Sequence, residues 1–370
     1  MRVLFAPDSF KGSIDAVDAA AALIEGWAAV RSDDDLVSMP QADGGEGTLD
    51  VLAACSAGST WSSTSGVCGP DGRPVDVRWL RLADGRAVIE LAESSGIAMM
   101  ESLNAFTATT RGLGEVIRAS GSDRMSVALG GSASTDGGLG VLRALGVRVL
   151  DESGRDVPEG GAGLVAARSV DASGLAWVPS DIELLTDTRA VLFGPDGAAH
   201  VFGPQKGASA ADIEVLDEAL KRWADLLAAV GLSADPSTPG TGAAGGAGFG
   251  MCTLGARVSS GAERVSELTG LPAAVPATDL VVTGEGKFDR TSLTGKLVGH
   301  VIQICSDARV PVTVVAGAVD SDVEVRTVSL TELAGSSEAA MADPRRWLIE
   351  AGQQLARLAG RDSVVGSPRG

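Results

Sequence analysis

Six short segments of this chain gather glycines, hydroxyls and charges at places where an apolar stretch or a turn gives way to a helix. In open α/β sheets such handover points collect ligands. Ala6-Pro7-Asp8-Ser9-Phe10-Lys11-Gly12-Ser13 sets a lysine beside a helix start, whose free N–H groups favour an anion. Lys11 is thus a candidate contact for a carboxylate or phosphate, although a capped helix with a solvated lysine has the same letters. Ala42-Asp43-Gly44-Gly45-Glu46-Gly47-Thr48 offers close backbone approach through its glycines, and Asp43 and Glu46 as hard oxygen ligands suited to magnesium. Acids at a helix N-terminus explain those two residues equally well. Gly130-Gly131-Ser132-Ala133-Ser134-Thr135-Asp136-Gly137-Gly138 combines hydroxyl and backbone donors with a single acid, and its glycines exceed what an ordinary turn needs. Such a concavity can wrap phosphates.

The fourth segment groups Thr186-Asp187-Thr188 with Phe202-Gly203-Pro204-Gln205-Lys206-Gly207, where Lys206 could meet a polyphosphate as a point charge. Pro239-Gly240-Thr241-Gly242-Ala243-Ala244-Gly245-Gly246 contains a GxGxxG, but it follows no strand, so it reads as a tight entry to a Gly-rich helix rather than a dinucleotide fingerprint. Thr283-Gly284-Glu285-Gly286-Lys287-Phe288-Asp289, followed by Gly295-Lys296, supplies two acids and two lysines in a loop after an apolar strand; surface salt bridges explain these residues about equally well. No segment matches GxxxxGK[ST], the protein-kinase loop set or GxSxG, so the common phosphotransfer and hydrolase plans are unsupported.

Strands and helices must position these loops. Arg2–Ala6 reads as a buried strand, and Ser13 is placed to cap a helix reaching about Val30. Asp35–Pro40 gives a second strand and Thr48–Cys55 a second helix, the alternation of a parallel α/β sheet. After about Trp61 the texture changes. Gly69-Pro70-Asp71-Gly72 is a turn signal between alternating segments that argue hairpin strands, and Gly194-Pro195-Asp196-Gly197 repeats that turn chemistry. Ser209–Val230 and Gly246–Leu268 read as helices, which makes the middle region mixed α+β. Alternation returns with a strand at Asp279–Val282, a helix at Lys296–Asp307, a strand at Val310–Val315 and a last helix at Pro344–Leu358, followed by a tail expected to fray.

Composition narrows the function further. The chain has 370 residues and 45% hydrophobic content, enough for more than one core. A net charge of −18, with no tyrosine and 4% aromatic residues, removes the footprint of a nucleic-acid binder. Cys55, Cys68, Cys252 and Cys305 form no CxxC pair, and His200 and His300 are the only histidines, so zinc and dithiol chemistry are not indicated. With no signal-peptide pattern and no membrane-length apolar run, the reading is a reduced, cytoplasmic protein.

Taken in order, APDSFKGS, ADGGEGT, GGSASTDGG, FGPQKGA, PGTGAAGG and TGEGKFD with GK resemble the bacterial glycerate kinase family of the two-domain glycerate 2-kinase type, from Ala6 to about Gly317. The resemblance implies a Rossmann-like parallel-sheet domain built from both chain ends (1–65 and 276–370) and an inserted mixed α+β domain (66–275), with the active site in the cleft between them. It also implies Mg-ATP as donor, D-glycerate as acceptor and 2-phosphoglycerate as product. The sequence departs from the family at Asp187-Thr188-Arg189-Ala190-Val191-Leu192, where relatives usually carry Asp-Val-Asp-Asn-Pro-Leu, at Thr291 and Thr294 in place of Gln and His, and in a shorter stretch after Gly317.

Phosphoryl transfer asks a protein chiefly to hold donor and acceptor in line and to offset charge on the moving oxygens. The residues expected to do so are Lys11 and Lys206 as anion contacts, Asp187 to orient or deprotonate the acceptor hydroxyl, and Asp43, Glu46, Glu285 and Asp289 as magnesium or hydroxyl ligands. Asp8, Ser9, Ser132, Ser134, Thr135, Gly137, Gly138, Gln205, Lys287 and Lys296 complete the expected substrate and phosphate contacts. Alternatives left open by the sequence are a kinase of another small hydroxy acid, a 3-phosphoglycerate-forming glycerate kinase, and a ligand-binding regulator without turnover.

Overall fold

Val3 and Phe5 face one side of the first strand and Leu4 and Ala6 the other, and each pair joins a separate apolar core. A strand buried on both faces is what a parallel sheet covered by helices requires. The computed structural model describes residues 1–293, 296–320 and 325–365. The chain divides into two compact units: Met1–Asp43, Asp50–Ala57 and Ala262–Gly370 in the first, Gly44–Leu49 and Gly58–Gly261 in the second.

The first unit holds five parallel strands in the order Thr327–Ser329, Val312–Val319, Leu280–Phe288, Arg2–Pro7, Asp35–Ser38. The helix after the first strand, Ala16–Ala28, buries Leu23 and Trp27 with Val3 and Phe5. The helix after Leu280–Phe288, Leu297–Ala308, buries Leu297, Val301 and Cys305 with Leu4 and Ala6 on the opposite face. Helices therefore leave these two neighbouring strands in opposite directions, which opens a crevice at their carboxyl ends. Full burial of one such aliphatic or aromatic side chain contributes about 1.5 to 3 kcal/mol. Ala16–Ala28 crosses the terminal helix Pro344–Val365 so closely that a β-carbon on Gly26 would stand 2.0 Å from the Ile349 carbonyl oxygen.

The second unit contains a six-stranded mixed sheet, ordered Arg257–Ser259, Asp181–Leu185, Arg124–Ala128, Ala87–Glu90, Pro74–Arg81, Thr60–Cys68. The first four strands are parallel and the last two antiparallel, and a separate two-stranded ribbon pairs Arg148–Leu150 with Ser169–Asp171. Helices Arg111–Ser120 and Leu139–Ala144 cover one face through Leu113, Val116, Ile117 and Val141. Ala210–Ala228 builds a second core with Leu216, Leu220, Trp223 and Leu227. The expected architecture, a parallel α/β domain drawn from both chain ends with a mixed α+β insertion, is the one formed.

Several local expectations need correction. Asp15, not Ser13, caps the first helix, because its carboxylate accepts the Asp18 N–H at 2.8 Å. TGEGKF is not a loop: Glu285, Lys287 and Phe288 continue the strand in register with Ala316, Ala318 and Val319. Gly246–Leu268 is not one helical run, since helix Ala247–Cys252 ends before the strand Arg257–Ser259 and a new helix begins at Gly261. The Gly194–Gly197 turn forms as expected, closed by the Gly197 N–H on the Gly194 carbonyl at 2.8 Å, and leads into a short helix, Ala198–Phe202. The terminal helix extends to Val365, beyond the expected Leu358, while residues 366–370 of the expected frayed tail, and Thr294 and Gly295, lie outside the described residues.

Candidate active site

The crevice end of the first unit's sheet is acidic. Pro7 pairs with Gly284, and the Asp8 N–H donates to the Gly284 carbonyl at 2.8 Å, so Asp8, just past its own strand, sits beside Glu285 within the neighbouring one. The Gln41 N–H donates to the Pro7 carbonyl at 2.9 Å and leads the next strand's continuation to Asp43, whose Oδ2 lies 3.7 Å from Lys11 Nζ. Burial, reinforced by Asp43, pushes the Asp8 carboxyl up to about 7, against the Ser9 N–H that it accepts at 2.6 Å and against Lys11. Burial also raises Glu285, while Ser292 and Lys296 lower it, and its Oε1 is buried without a hydrogen-bond partner. Those are hard oxygen donors of the type magnesium takes.

The outer residues of this cluster are tied among themselves. Asp289 accepts from the Thr291 N–H and hydroxyl at 2.9 and 2.6 Å and meets Lys287 at 3.3 Å, which holds its carboxyl down at about 2. Lys296 precedes the Leu297–Ala308 helix and donates to Thr291 Oγ1 at 3.1 Å. Among the described residues no group of three metal-ligating side chains stands close enough to hold an ion alone.

The second unit brings four glycine-rich motifs together. ADGGEGT is divided, Asp43 ending one segment of the first unit and Gly44–Leu49 belonging to the second. There the Gly130 N–H donates to the Gly44 carbonyl at 3.2 Å. Glu90, buried at the end of its strand, accepts the N–H groups of Gly47 and Leu49 at 3.1 and 3.2 Å. Lys206 is 1% exposed, and its Nζ donates to Ser132 Oγ at 2.8 Å and to the Ser134 carbonyl at 2.5 Å. Burial drives that lysine down to about 7, with Asp136 pulling the other way. Burial raises the Asp136 carboxyl too, but four donors favour its charged form: Thr110 N–H and hydroxyl at 2.8 Å each, Gly138 N–H at 3.1 Å and Gly140 N–H at 3.3 Å.

PGTGAAGG lies directly on this loop. Ala244 and Gly245 both take left-handed backbone angles, and a β-carbon at Gly245 would be 2.0 Å from the Ser134 carbonyl oxygen, so only glycine fits. The Gly137 N–H donates to the Gly245 carbonyl at 3.0 Å, and Trp223 Nε1 donates to the Gly137 carbonyl at 3.0 Å. Part of the glycine surplus thus serves loop-on-loop packing. Ser134 Oγ and Thr135 Oγ1 are nevertheless buried with no hydrogen-bond partner.

Asp187 and Lys206, grouped in the sequence, take different partners. Asp187 Oδ1 accepts from Ser260 Oγ at 2.8 Å and from the Gly261 N–H at 2.9 Å, whereas Lys206 belongs to the Ser132–Ser134 loop. Gln205, Glu46 and Lys11 are exposed, and Ser9 is half-buried beside Asp8. Sequence reasoning passed over Glu90 and the clamping role of Asp136. A lone acid closing the apolar run Ala87-Val88-Ile89 was the available signal for the first.

Comparison with known proteins identifies the family. The sequence profile of the glycerate kinase family matches residues 3–360. A glycerate kinase of Bacillus subtilis (strain 168) is 39% identical over 331 residues, 87% of this chain and 86% of that protein. The glycerate 2-kinase of Escherichia coli (strain K12) is 37% identical over 335 residues, 88% of this chain and 87% of that protein. A crystal structure from Salmonella typhimurium LT2, assigned as glycerate kinase 2, superposes with a TM-score of 0.81 at 32% identity, covering 98% of this chain and 99% of that one. The chain belongs to the glycerate kinase family.

Proposed function

We propose that this protein transfers the terminal phosphoryl group of Mg-ATP to the 2-hydroxyl of D-glycerate. The observation that carries the proposal is the set of carboxylates on and just beyond neighbouring strands, Asp8, Asp43 and Glu285, with Lys11 beside them, in a chain of this family. Magnesium keeps several waters and needs only one or two protein carboxylates when phosphates supply the rest. An ion that arrives with the nucleotide therefore fits this donor set, and Glu285 with its unpartnered Oε1 is the first residue we assign to it. Asp43 and Glu46 are assigned alongside, with Asp289 outside them because its oxygens already serve Thr291 and Lys287.

In the transfer, the bond from phosphorus to the β–γ bridging oxygen breaks, a bond from the glycerate 2-oxygen forms, and the hydroxyl proton leaves. Asp187, fixed by Ser260 and Gly261, is assigned to orient that hydroxyl or take its proton. Lys11 offsets charge on the carboxylate or phosphate, and Asp8 and Ser9 line the same end of the sheet. The loop from Ser132 to Gly138, with Gln205 exposed beside Lys206, provides phosphate donors. Lys287 and Lys296 add positive charge beside Glu285. Four free thiols match a reduced, cytoplasmic setting.

NMR of the product after incubation with Mg-ATP and D-glycerate tests donor, acceptor and position together. The expected product is 2-phosphoglycerate. A 3-phosphate would reassign the reacting hydroxyl, and calorimetric binding without any product would identify a regulator on the same fold.

A further inference from the structure

Lys206 lies too deep to act as the point charge that its sequence setting brings to mind. At 1% exposure its ammonium is spent on one loop, through Ser132 Oγ and the Ser134 carbonyl. The Ser134 carbonyl and the Thr135 N–H belong to the same planar peptide, so anchoring the oxygen towards Lys206 directs the N–H the opposite way. Among the described residues neither the Ser134 nor the Thr135 N–H makes a hydrogen bond, and the Ser134 and Thr135 hydroxyls are buried without partners. Four neighbouring donors on two residues thus have no protein acceptor. Buried donors are almost always satisfied. Asp136, the nearest acid in the sequence, cannot serve them, because its carboxylate is already engaged by Thr110, Gly138 and Gly140.

We infer that Lys206 is a positioning residue that pins the Ser134–Thr135 peptide so that its N–H and the adjacent hydroxyls receive a phosphate oxygen. This deepens the kinase reading and rests on it for the identity of the phosphate carrier, but not for the anion site. Arginine is itself a good phosphate ligand, so a lysine that met phosphate at an open surface would lose less on replacement by arginine than by methionine. A buried pin leaves no room for the larger guanidinium.

The test uses the full chain labelled with 15N-threonine, titrated with inorganic phosphate and with ADP, alongside steady-state kinetics. The Thr135 amide resonance should shift with either probe in the wild-type protein. In Lys206→Met that response should be lost and kcat/KM for ATP should fall by about 10²-fold, as for loss of a preorganised donor. Lys206→Arg should be no better than Lys206→Met. Ser132→Ala removes one of the two ammonium contacts while leaving the fold in place, and should weaken the Thr135 response and turnover by an intermediate amount. An active wild-type enzyme whose Thr135 amide ignores both probes would overturn the inference, and so would near-wild-type kinetics in Lys206→Arg. If the Thr135 amide responds while no phosphate reaches glycerate, the anion site stands and the kinase reading falls.

Discussion

Replacing Lys206 with methionine should change how stability depends on pH, and the size of the change follows from the burial of its ammonium. The unfolded chain holds the lysine proton up to its ordinary 10.5, whereas burial lets the folded protein hold it only below about 7. Between those values the unfolded state binds more protons, so folding stability rises with pH. From pH 7 to pH 9 this one group contributes roughly 2 kcal/mol of increasing stability. Methionine has a similar length, fills the same space and carries no proton, so the variant should lack that increment. Urea denaturation of both proteins at pH 7, 8 and 9 measures it as a difference, in which the carboxylates, thiols and other lysines common to both largely cancel. The wild type should gain on the variant by about 2 kcal/mol across the interval. A constant difference at all three pH values would show that the ammonium is solvated or fully compensated, and would remove the premise that it is locked beneath the Ser132–Ser134 loop.

Three further outcomes are expected. Asp187→Asn keeps an oxygen able to accept from Ser260 and Gly261, so it should fold normally while single-turnover phosphoryl transfer slows by about 10²-fold or more; an unchanged rate would exclude a base role for Asp187. Glu285→Gln should raise the magnesium concentration needed for half-maximal rate by about 10-fold, read from a magnesium titration at fixed ATP, and an unaltered titration would take Glu285 out of the metal's surroundings. Gly26→Ala places a β-carbon against the Ile349 carbonyl and should cost about 1 to 3 kcal/mol in denaturation. A variant as stable as the wild type would mean that the two helices separate freely.

What the sequence disclosed depended on how local each signal was. Thr48–Cys55 forms the helix its composition predicts, and Ser209 with Asp212 makes a reciprocal capping box that can be read three residues apart. The continuation of the strand through Gly284, Glu285 and Gly286 was hidden because its cause is pairing with Val312–Val319, some thirty residues further along the chain. Glycines and charges alternate there as they would in a loop, and only the neighbour turns them into strand. The candidate site shows the same division. That six motifs carry the chemistry was legible from residue types, but the contact of Gly245 with Ser134, and the depth of Lys206, arise from loops more than seventy residues apart.

An acidic protein that handles a polyphosphate needs its opposing charges sorted, and the two clusters differ in the required sense. In the first unit Asp8, Asp43 and Glu285 gather near Lys11, and both Asp8 and Glu285 are raised chiefly by burial, with neighbouring carboxylates adding to it. A divalent cation or a hydroxyl proton relieves that crowding; a bare phosphate would worsen it. In the second unit the acid Asp136 is met by four donors, and the groups left over at Ser134 and Thr135 all donate. That part of the loop suits an oxygen anion, since Asp136 is already engaged. Under the proposed reading, the carboxylates around Glu285 suit magnesium and the Ser134–Thr135 loop suits phosphate. The net charge of −18 then sets only the long-range field, which salt screens within about 8 Å at physiological ionic strength. Raising the salt concentration should therefore change the association rate of ATP far more than the rate of the transfer step, and rapid-mixing kinetics at low and high salt separate the two. A transfer step as salt-sensitive as association would show that distant surface charge, not these two clusters, governs the reaction.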